Sequence, residues 1–171
     1  MGLFVYHLVP DGMLGTILYP LNQLKKKYPA AYDKHSEKYR GREWLADRVI
    51  PPLNCLWNDV LFLCPVHPGK ILGTLREIGY DHPRERFFEI DTGQLTNDKF
   101  AVLTYPDDGG DPQYHHQGPN SMPGIDDLPS VTVNYFKESF ANKKRFMLFA
   151  YIPHVLYLGS VDVSQCPIIE V

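Results

Sequence analysis

Three histidines lie near the ends of apolar runs that predict buried strands. His7 lies near the end of the run beginning LFVY, His67 follows the run VLFLC, and His154 follows the run FMLFAYI. Ligand pockets often collect at such ends, and a neutral imidazole both donates and accepts a hydrogen bond. Each histidine could equally be a hydrogen-bonded structural residue. The pattern therefore indicates three candidate binding residues.

A second group of polar side chains directly precedes the run VLFLC. Trp57, Asn58 and Asp59 are adjacent, and together they offer an indole, an amide and a carboxylate. An indole can stack on a planar ring while the amide and the carboxylate bind the edge of that ring. The alternative is a core tryptophan beside two residues that cap a turn. We take the three residues as candidate substrate contacts.

A third group lies in the segment PDDGGDPQYHHQGPNSMPGIDDLP. His115 and His116 follow Asp107, Asp108 and Asp111 there. Histidine and carboxylate side chains are suitable metal ligands, so a metal-dependent hydrolase is one hypothesis. Adjacent histidines in a segment rich in glycine and proline need not converge, and a solvated loop is the alternative. The standard motifs of phosphate loops, dinucleotide folds, zinc proteases and kinases are absent from the sequence.

The elements that would position these residues follow from hydrophobic periodicity and from Gly and Pro breakers. The predicted strands are 3–9, 16–19, 60–64, 86–91, 100–105, 146–152, 155–158 and 167–171. The predicted helices lie around 21–28, 29–40, 44–49, 70–78 and 130–142, and a long loop is predicted at 106–129. Because strands and helices do not alternate regularly, we expect one α+β domain over 1–171, with a mixed, twisted β-sheet and several short helices.

Composition excludes several classes of protein. The chain has 171 residues, 44% hydrophobic and 22% charged, which is typical of a globular domain. The net charge of −3 shows no basic bias toward nucleic acid or membrane surfaces. No apolar run is long enough to span a bilayer, and no signal peptide is indicated. The three cysteines are unclustered, so we expect a cytoplasmic protein with reduced thiols and no structural metal.

Several short stretches together resemble a known family. Tyr6-His7, followed by a turn and a glycine, resembles the opening of the ADP-ribosyltransferase fold. VLFLCPVHP is similar to a strand and Pro-x-x-Pro turn of the DNA-thymidine ADP-ribosyltransferase toxins. FFEID resembles the next strand of the related RNA 2′-phosphotransferases, and MLFAYIPHVLYLGSVDV resembles the closing strands. These stretches occur in the family's order across nearly the whole chain.

The resemblance implies a bacterial toxin-like protein that binds NAD or an ADP-ribose-containing ligand. In that family the first histidine contacts the NAD ribose, which corresponds here to His7. An aromatic side chain would stack on nicotinamide, and Tyr19 and Phe62 are the candidates; His67, in the turn, is a further candidate for contact with the cofactor. The loop 106–129 would recognise an acceptor, either a nucleic acid or a protein. The candidate substrate contacts are His115 and His116 in this loop and His154 after the run FMLFAYI.

The sequence departs from the family at two places. Val66 and His67 occupy the turn in which the toxins carry an arginine, and Phe146 stands where the transferase glutamate is expected. A phenylalanine cannot act as a base, so Glu138 on the preceding helix is the substitute that the sequence offers. The alternative hypothesis is a non-catalytic interaction module of the same fold. The metal-dependent hydrolase is the third hypothesis.

Overall fold

The computed structural model describes residues 3–116 and 127–171. The strands of these residues are β1 (Phe4–Leu8), β2 (Ile17–Leu18), β3 (Val49–Ile50), β4 (Cys55–Leu56), β5 (Val60–Leu63), β6 (Arg86–Asp91), β7 (Phe100–Thr104), β8 (Gln113–His115), β9 (His154–Leu158), β10 (Val161–Asp162) and β11 (Ile168–Glu170). The helices are α1 (Leu21–Lys27), α2 (Pro29–Ser36), α3 (Pro68–Ile78) and α4 (Ser130–Ala141). Short 3₁₀ helices include Glu37–Tyr39, Glu43–Asp47 and Trp57–Asp59. The expected α+β class is confirmed.

The sheets are antiparallel, whereas the sequence predicted a mixed sheet. One sheet has the order β1-β6-β11, a second has the order β5-β9-β7-β8, and two further pairs are β10-β2 and β3-β4. Every strand pairing in the described ranges is antiparallel. Sequence periodicity reports which face of a strand is buried but not the direction of its neighbour, which is why this expectation was wrong.

The core consists of three groups of packed side chains. One group, which includes Val5, Leu61 and Val155, fills the space between β1, β5 and β9. A second group packs α3 and α4 against Tyr6 and Phe87. A third covers the opposite face of β5 and β9. Both larger sheets therefore use their two faces for packing.

The predicted strand at 146–152 does not form. Residues 148–151 make a turn, in which Tyr151 has the left-handed φ of 60°. Phe146, Leu148 and Phe149 pack against the helical part of the core from this irregular segment. The strand β9 begins only at His154. An apolar run shows that a segment is buried, and periodicity alone does not distinguish a strand from an irregular segment that covers a core.

Two smaller predictions also differ from the structure. The predicted loop at 106–129 contains a short strand, β8, which pairs with β7 at the edge of the four-stranded sheet. Its residues 117–126 lie outside the described residues. The predicted short helix at 44–49 is shorter, because its last residue, Val49, belongs to β3 and pairs with Leu56. Local propensity was overridden in both places by antiparallel pairing with the neighbouring strand along the chain.

Candidate functional site

The two larger sheets meet at a single bridge between β1 and the end of β5. The Tyr6 amide donates to the Cys64 carbonyl at 2.7 Å, and the Cys64 amide donates to the Tyr6 carbonyl at 2.8 Å. The next residue of β1 after this bridge is His7. The contact therefore fixes the position of His7 relative to Phe62, two residues before Cys64 on β5.

A cavity of about 590 Å³ lies beside this junction. Its size is within the range of small-molecule sites. The lining brings together five of the residues singled out from the sequence, namely His7, Tyr19, Asn58, Phe62 and His154. These residues come from β1, the segment after β2, the 3₁₀ helix at 57–59, β5 and β9, so only the tertiary fold assembles them.

His7 and His154 are held in the same tautomeric state. His7 Nδ1 lies 2.7 Å from the Leu8 carbonyl oxygen, and His154 Nδ1 lies 2.7 Å from the Ile152 carbonyl oxygen. Because a carbonyl only accepts, each Nδ1 must carry the proton and donate it. Each Nε2 is then left with its lone pair, and no described residue forms a hydrogen bond with it. The cavity wall therefore contains two hydrogen-bond acceptors on neutral rings.

Burial keeps both rings uncharged. Burial is the largest cause that lowers the pKa of His7 to about 4; the hydrogen bond to the Leu8 carbonyl opposes it, and Lys38, His35 and His154 add smaller decreases. Burial likewise lowers the pKa of His154 to about 4, again opposed by the carbonyl that Nδ1 contacts. Both imidazoles are neutral at pH 7, so they would accept a hydrogen bond from a ligand hydroxyl group without adding a charge.

Aromatic rings hold His154 and Phe62 in place. The ring centroid of Phe62 lies 6.2 Å from that of His154 and 4.6 Å from that of Trp57. Phe149, which was not among the residues predicted from the sequence, packs edge-on against His154 with its centroid at 5.9 Å and also lines the cavity. A planar ligand ring could pack here against the faces or the edges of these aromatic side chains, because aromatic pairs favour offset and edge-on contacts.

Asn58 adds a polar group to the apolar part of the wall. The residue is only 6% exposed, and its Oδ1 is buried with no hydrogen-bond partner among the described residues. A buried amide oxygen without a partner is costly. A ligand that carried an N–H group could satisfy this amide after rotation of its side chain.

One wall of the cavity carries two cationic side chains. They are Lys34 of α2 and Lys38 of the following 3₁₀ helix, and His35 lines the same wall as a neutral ring, because burial lowers its pKa below the usual 6.5. The acidic residues of the described lining are Asp11 and Glu85, and Asp11 lies 3.8 Å from the Lys34 ammonium group. This wall favours an anionic group on a ligand. The two lysines are close together in the sequence, a signal that the sequence interpretation did not use.

Three predicted contacts lie outside the cavity lining. His67 caps α3, because its Nδ1 accepts a hydrogen bond from the Gly69 amide at 3.0 Å. Asp59 accepts from the Leu56 amide at 2.9 Å and from Asn22 Nδ2 at 2.8 Å, and so joins α1 to the start of β5. Trp57 packs behind Phe62. In all three, the structure gives the side chain a supporting contact.

The remaining candidates from the sequence are His115 and His116. His115 lies on β8, where its Nε2 is 2.9 Å from Thr104 Oγ1, and His116 is exposed just after that strand. Neither residue lines the cavity. In the described part of the chain, no three His, Cys, Asp or Glu side chains are grouped so that they could hold a metal ion.

Neither position 138 nor position 146, the two considered for the transferase glutamate, places a carboxylate in the cavity. Glu138 is exposed on α4 and is absent from the lining. Phe146 packs between Tyr80 and Phe136, with ring centroids at 4.4 and 5.8 Å. The substitute proposed from the sequence, Glu138, is therefore not placed to act on a ligand in this cavity.

Comparison with known proteins adds no relative. No protein-family model, curated protein or solved structure matches this chain. Within residues 3–116 and 127–171, no helix combines the length and the apolar character needed to cross a membrane. Function must therefore be argued from the cavity itself.

Proposed function

We propose that this protein is ADP-ribosyltransferase-like and binds NAD or another ligand that contains ADP-ribose. The observation that carries the proposal is the cavity in which His7, Tyr19 and Phe62 converge. These are the residues to which the family resemblance assigns contact with the ribose and the nicotinamide. They lie in separate parts of the chain, so their convergence is not a consequence of sequence proximity.

The chemistry of the lining supports a ligand of this class. The Nε2 atom of His7 can accept a hydrogen bond from a hydroxyl group of a ribose, and His154 lines the same cavity. Phe62 and Phe149 offer faces and edges to a planar ring, and Asn58 offers an amide to its polar edge. The basic wall formed by α2 suits a diphosphate. An ADP-ribose group presents all of these features together.

The first test is thermal unfolding of the purified protein with and without millimolar NAD, repeated with ADP-ribose. A ligand present at about 100 times its Kd stabilises the native state by ~2.7 kcal/mol. We expect a clear increase in Tm for the wild-type protein. The variant His7→Ala should keep a cooperative unfolding transition but lose the ligand-induced increase, because the acceptor near the ribose is removed.

The matched control is His82→Ala. His82 contacts the Pro83 carbonyl through Nδ1 and does not line the cavity. This variant should show the same ligand-induced increase in Tm as the wild type. An unchanged increase in the His7→Ala variant would contradict the assignment of His7 to the ribose.

The second candidate function is a non-catalytic interaction module. It is favoured by exposed apolar side chains away from the core, since Trp44 is 61% exposed and Val49, which pairs with Leu56 across β3 and β4, is 53% exposed. Such side chains are suited to a protein interface. Absence of any increase in Tm with NAD and with ADP-ribose would favour this function over the first.

A further inference from the structure

The cavity contains a base, although the positions expected to supply a carboxylate are elsewhere. Glu138 is exposed on α4 and Phe146 is packed in the core. Of the acidic residues in the described lining, Asp11 is near Lys34 and Glu85 belongs to the segment that precedes β6. His154, in contrast, lies beside Phe62, the proposed nicotinamide contact, and lines the same cavity as His7.

We propose that His154 is the general base for transfer of ADP-ribose from NAD to a hydroxyl acceptor, an inference that rests on the proposed function. In this step the bond between ribose C1′ and the nicotinamide nitrogen breaks, and its electron pair leaves with neutral nicotinamide. A bond forms between C1′ and the acceptor oxygen. The acceptor proton passes to His154 Nε2, and the resulting imidazolium releases it to water. With water as acceptor, the products are ADP-ribose, nicotinamide and a proton.

The geometry around His154 suits this role. Only 9% of the residue is exposed, and its Nδ1 proton is committed to the Ile152 carbonyl at 2.7 Å. Nε2 is therefore the nitrogen that can receive a proton, and the ring cannot rotate without losing this hydrogen bond. Phe62 and Phe149 contact the ring edge-on from two sides. A base fixed in this manner is prepared for proton transfer before the substrate binds.

The turn before His154 contributes to this fixation. Tyr151 adopts a left-handed φ of 60°, which is costly for a residue with a large side chain. The turn is held by the Thr132 hydroxyl, which donates to the Ala150 carbonyl at 2.9 Å, and by packing of Tyr151 against Tyr105 and Tyr135. Local strain that surrounding contacts maintain is common near functional sites.

His154 differs in charge from the carboxylate it would replace. Burial lowers the pKa of His154 to about 4, so its ring is unprotonated at pH 7 and can accept a proton. The imidazole is neutral before the transfer, whereas a carboxylate is negative. We therefore expect His154 to accept the proton while contributing little electrostatic stabilisation to a cationic transition state.

The experiment measures nicotinamide release from NAD by the 171-residue chain, with water as acceptor and then with a simple alcohol. The test variants are His154→Asn, whose amide can still donate to the Ile152 carbonyl, and His154→Gln, whose amide oxygen accepts a hydrogen bond but is not a base. Having two variants keeps the test usable if one fails to fold. His82→Ala is the control, and NAD affinity is measured separately for every protein.

We expect the rate at saturating NAD to fall by about 100-fold or more in both His154 variants, with NAD affinity changed less than threefold. The control should match the wild type. If NAD binds but the variants release nicotinamide at the wild-type rate, the inference is wrong. It is also wrong if the wild type binds NAD and does not release nicotinamide above the uncatalysed rate. Failure of NAD to bind the wild type would instead overturn the proposed function, and this inference with it.

Discussion

At the scale of single residues, the histidines at strand ends have different roles that their sequence contexts do not reveal. His7 and His154 line the cavity with Nδ1 bound to a backbone carbonyl. His67 uses the same atom as an acceptor, for the Gly69 amide, and thereby caps a helix. The tautomer of each ring follows from its partner, since a carbonyl requires a donor and an amide requires an acceptor.

The buried imidazole of His154 should make stability depend on pH. The pKa of His154 in the folded protein is about 4, below its usual 6.5, so the unfolded chain binds more protons between these values. Stability should therefore decrease as pH falls from about 6.5 to about 4. We expect the wild type to lose ~1–3 kcal/mol more than His154→Gln across this window. Urea unfolding at pH 7 and at pH 4.5 measures the difference, and identical losses in the two proteins would refute the prediction.

At the scale of secondary-structure elements, the end of α3 depends on one glycine. Gly79 adopts φ 108° directly after Ile78, and a Cβ there would lie 3.0 Å from the ring of Phe140 on α4. Gly73 lies inside the same helix, where the backbone conformation suits alanine and a Cβ would meet no atom within 4 Å. The same substitution should therefore have opposite effects at the two positions.

We expect Gly79→Ala to reduce the free energy of unfolding by at least about 1 kcal/mol, through strain and the contact with Phe140. Gly73→Ala should increase it by ~0.4–1 kcal/mol, because alanine has the higher helix propensity. Chemical denaturation of both variants gives the two values. A loss of stability in Gly73→Ala equal to that in Gly79→Ala would show that packing around α3, and not backbone conformation, governs both sites.

The turn at 148–151, in the segment predicted as a strand, is held by a hydrogen bond from α4. Thr132 is fully buried on α4, and its hydroxyl donates to the carbonyl of Ala150. Thr132→Val keeps the shape of the side chain and removes the donor, leaving a buried carbonyl without this partner.

We expect this variant to lose ~1–3 kcal/mol of stability, measured by urea unfolding. Thr96→Val is the matched control, because Thr96 is exposed and only its backbone amide contacts Tyr157. Its stability should change by less than about 0.5 kcal/mol. Equal stability of the two variants would mean that the Thr132 hydrogen bond does not hold the turn.

At the scale of the whole molecule, charge is distributed unevenly. Residues 21–48 contain eight Lys and Arg and four Asp and Glu, a formal charge of +4, so the rest of the chain must carry −7 to give the net charge of −3. The positive region includes the cavity wall with Lys34 and Lys38. An anionic ligand would therefore approach a positive wall on a protein that is negative overall.

This distribution predicts salt-dependent binding. The affinity for NAD should fall several-fold between low salt and about 0.5 M salt, since screening weakens attraction between exposed charges. Lys38→Ala should weaken binding at low salt and reduce the salt dependence, while Lys144→Ala, an exposed residue just after α4, should do neither. Titration calorimetry at two salt concentrations gives these affinities. Salt-independent binding would show that the wall does not contact the anionic part of the ligand.

Much of the fold could be predicted because its signals are local. The runs that form β1, β5, β6 and β7 are apolar and bounded by turn residues, and α3 combines Pro at its first turn, helical spacing and a terminal glycine. The run at 146–152 was misassigned because an apolar segment covering the core from a turn has the composition of a buried strand. The direction of a strand relative to its neighbour depends on partners that are distant in sequence, as for β1 and β6. The strand β8 pairs with β7 directly before it and was missed because its segment is rich in Gly, Pro and Asp.

The sequence by itself determined the α+β class and most element positions, and it named His7, Tyr19, Phe62 and His154 as candidates, because propensity, periodicity and side-chain chemistry are properties of the residues. Only the tertiary structure decided which candidates share a cavity. The tertiary structure places His7 in the cavity lining and leaves His67 and Glu138 outside it. It also places His35 and Lys38 in that lining. The physical reason is that a site is defined by distances between side chains, and the backbone contacts that fix those distances, such as the bridge between Tyr6 and Cys64, join residues far apart in the chain.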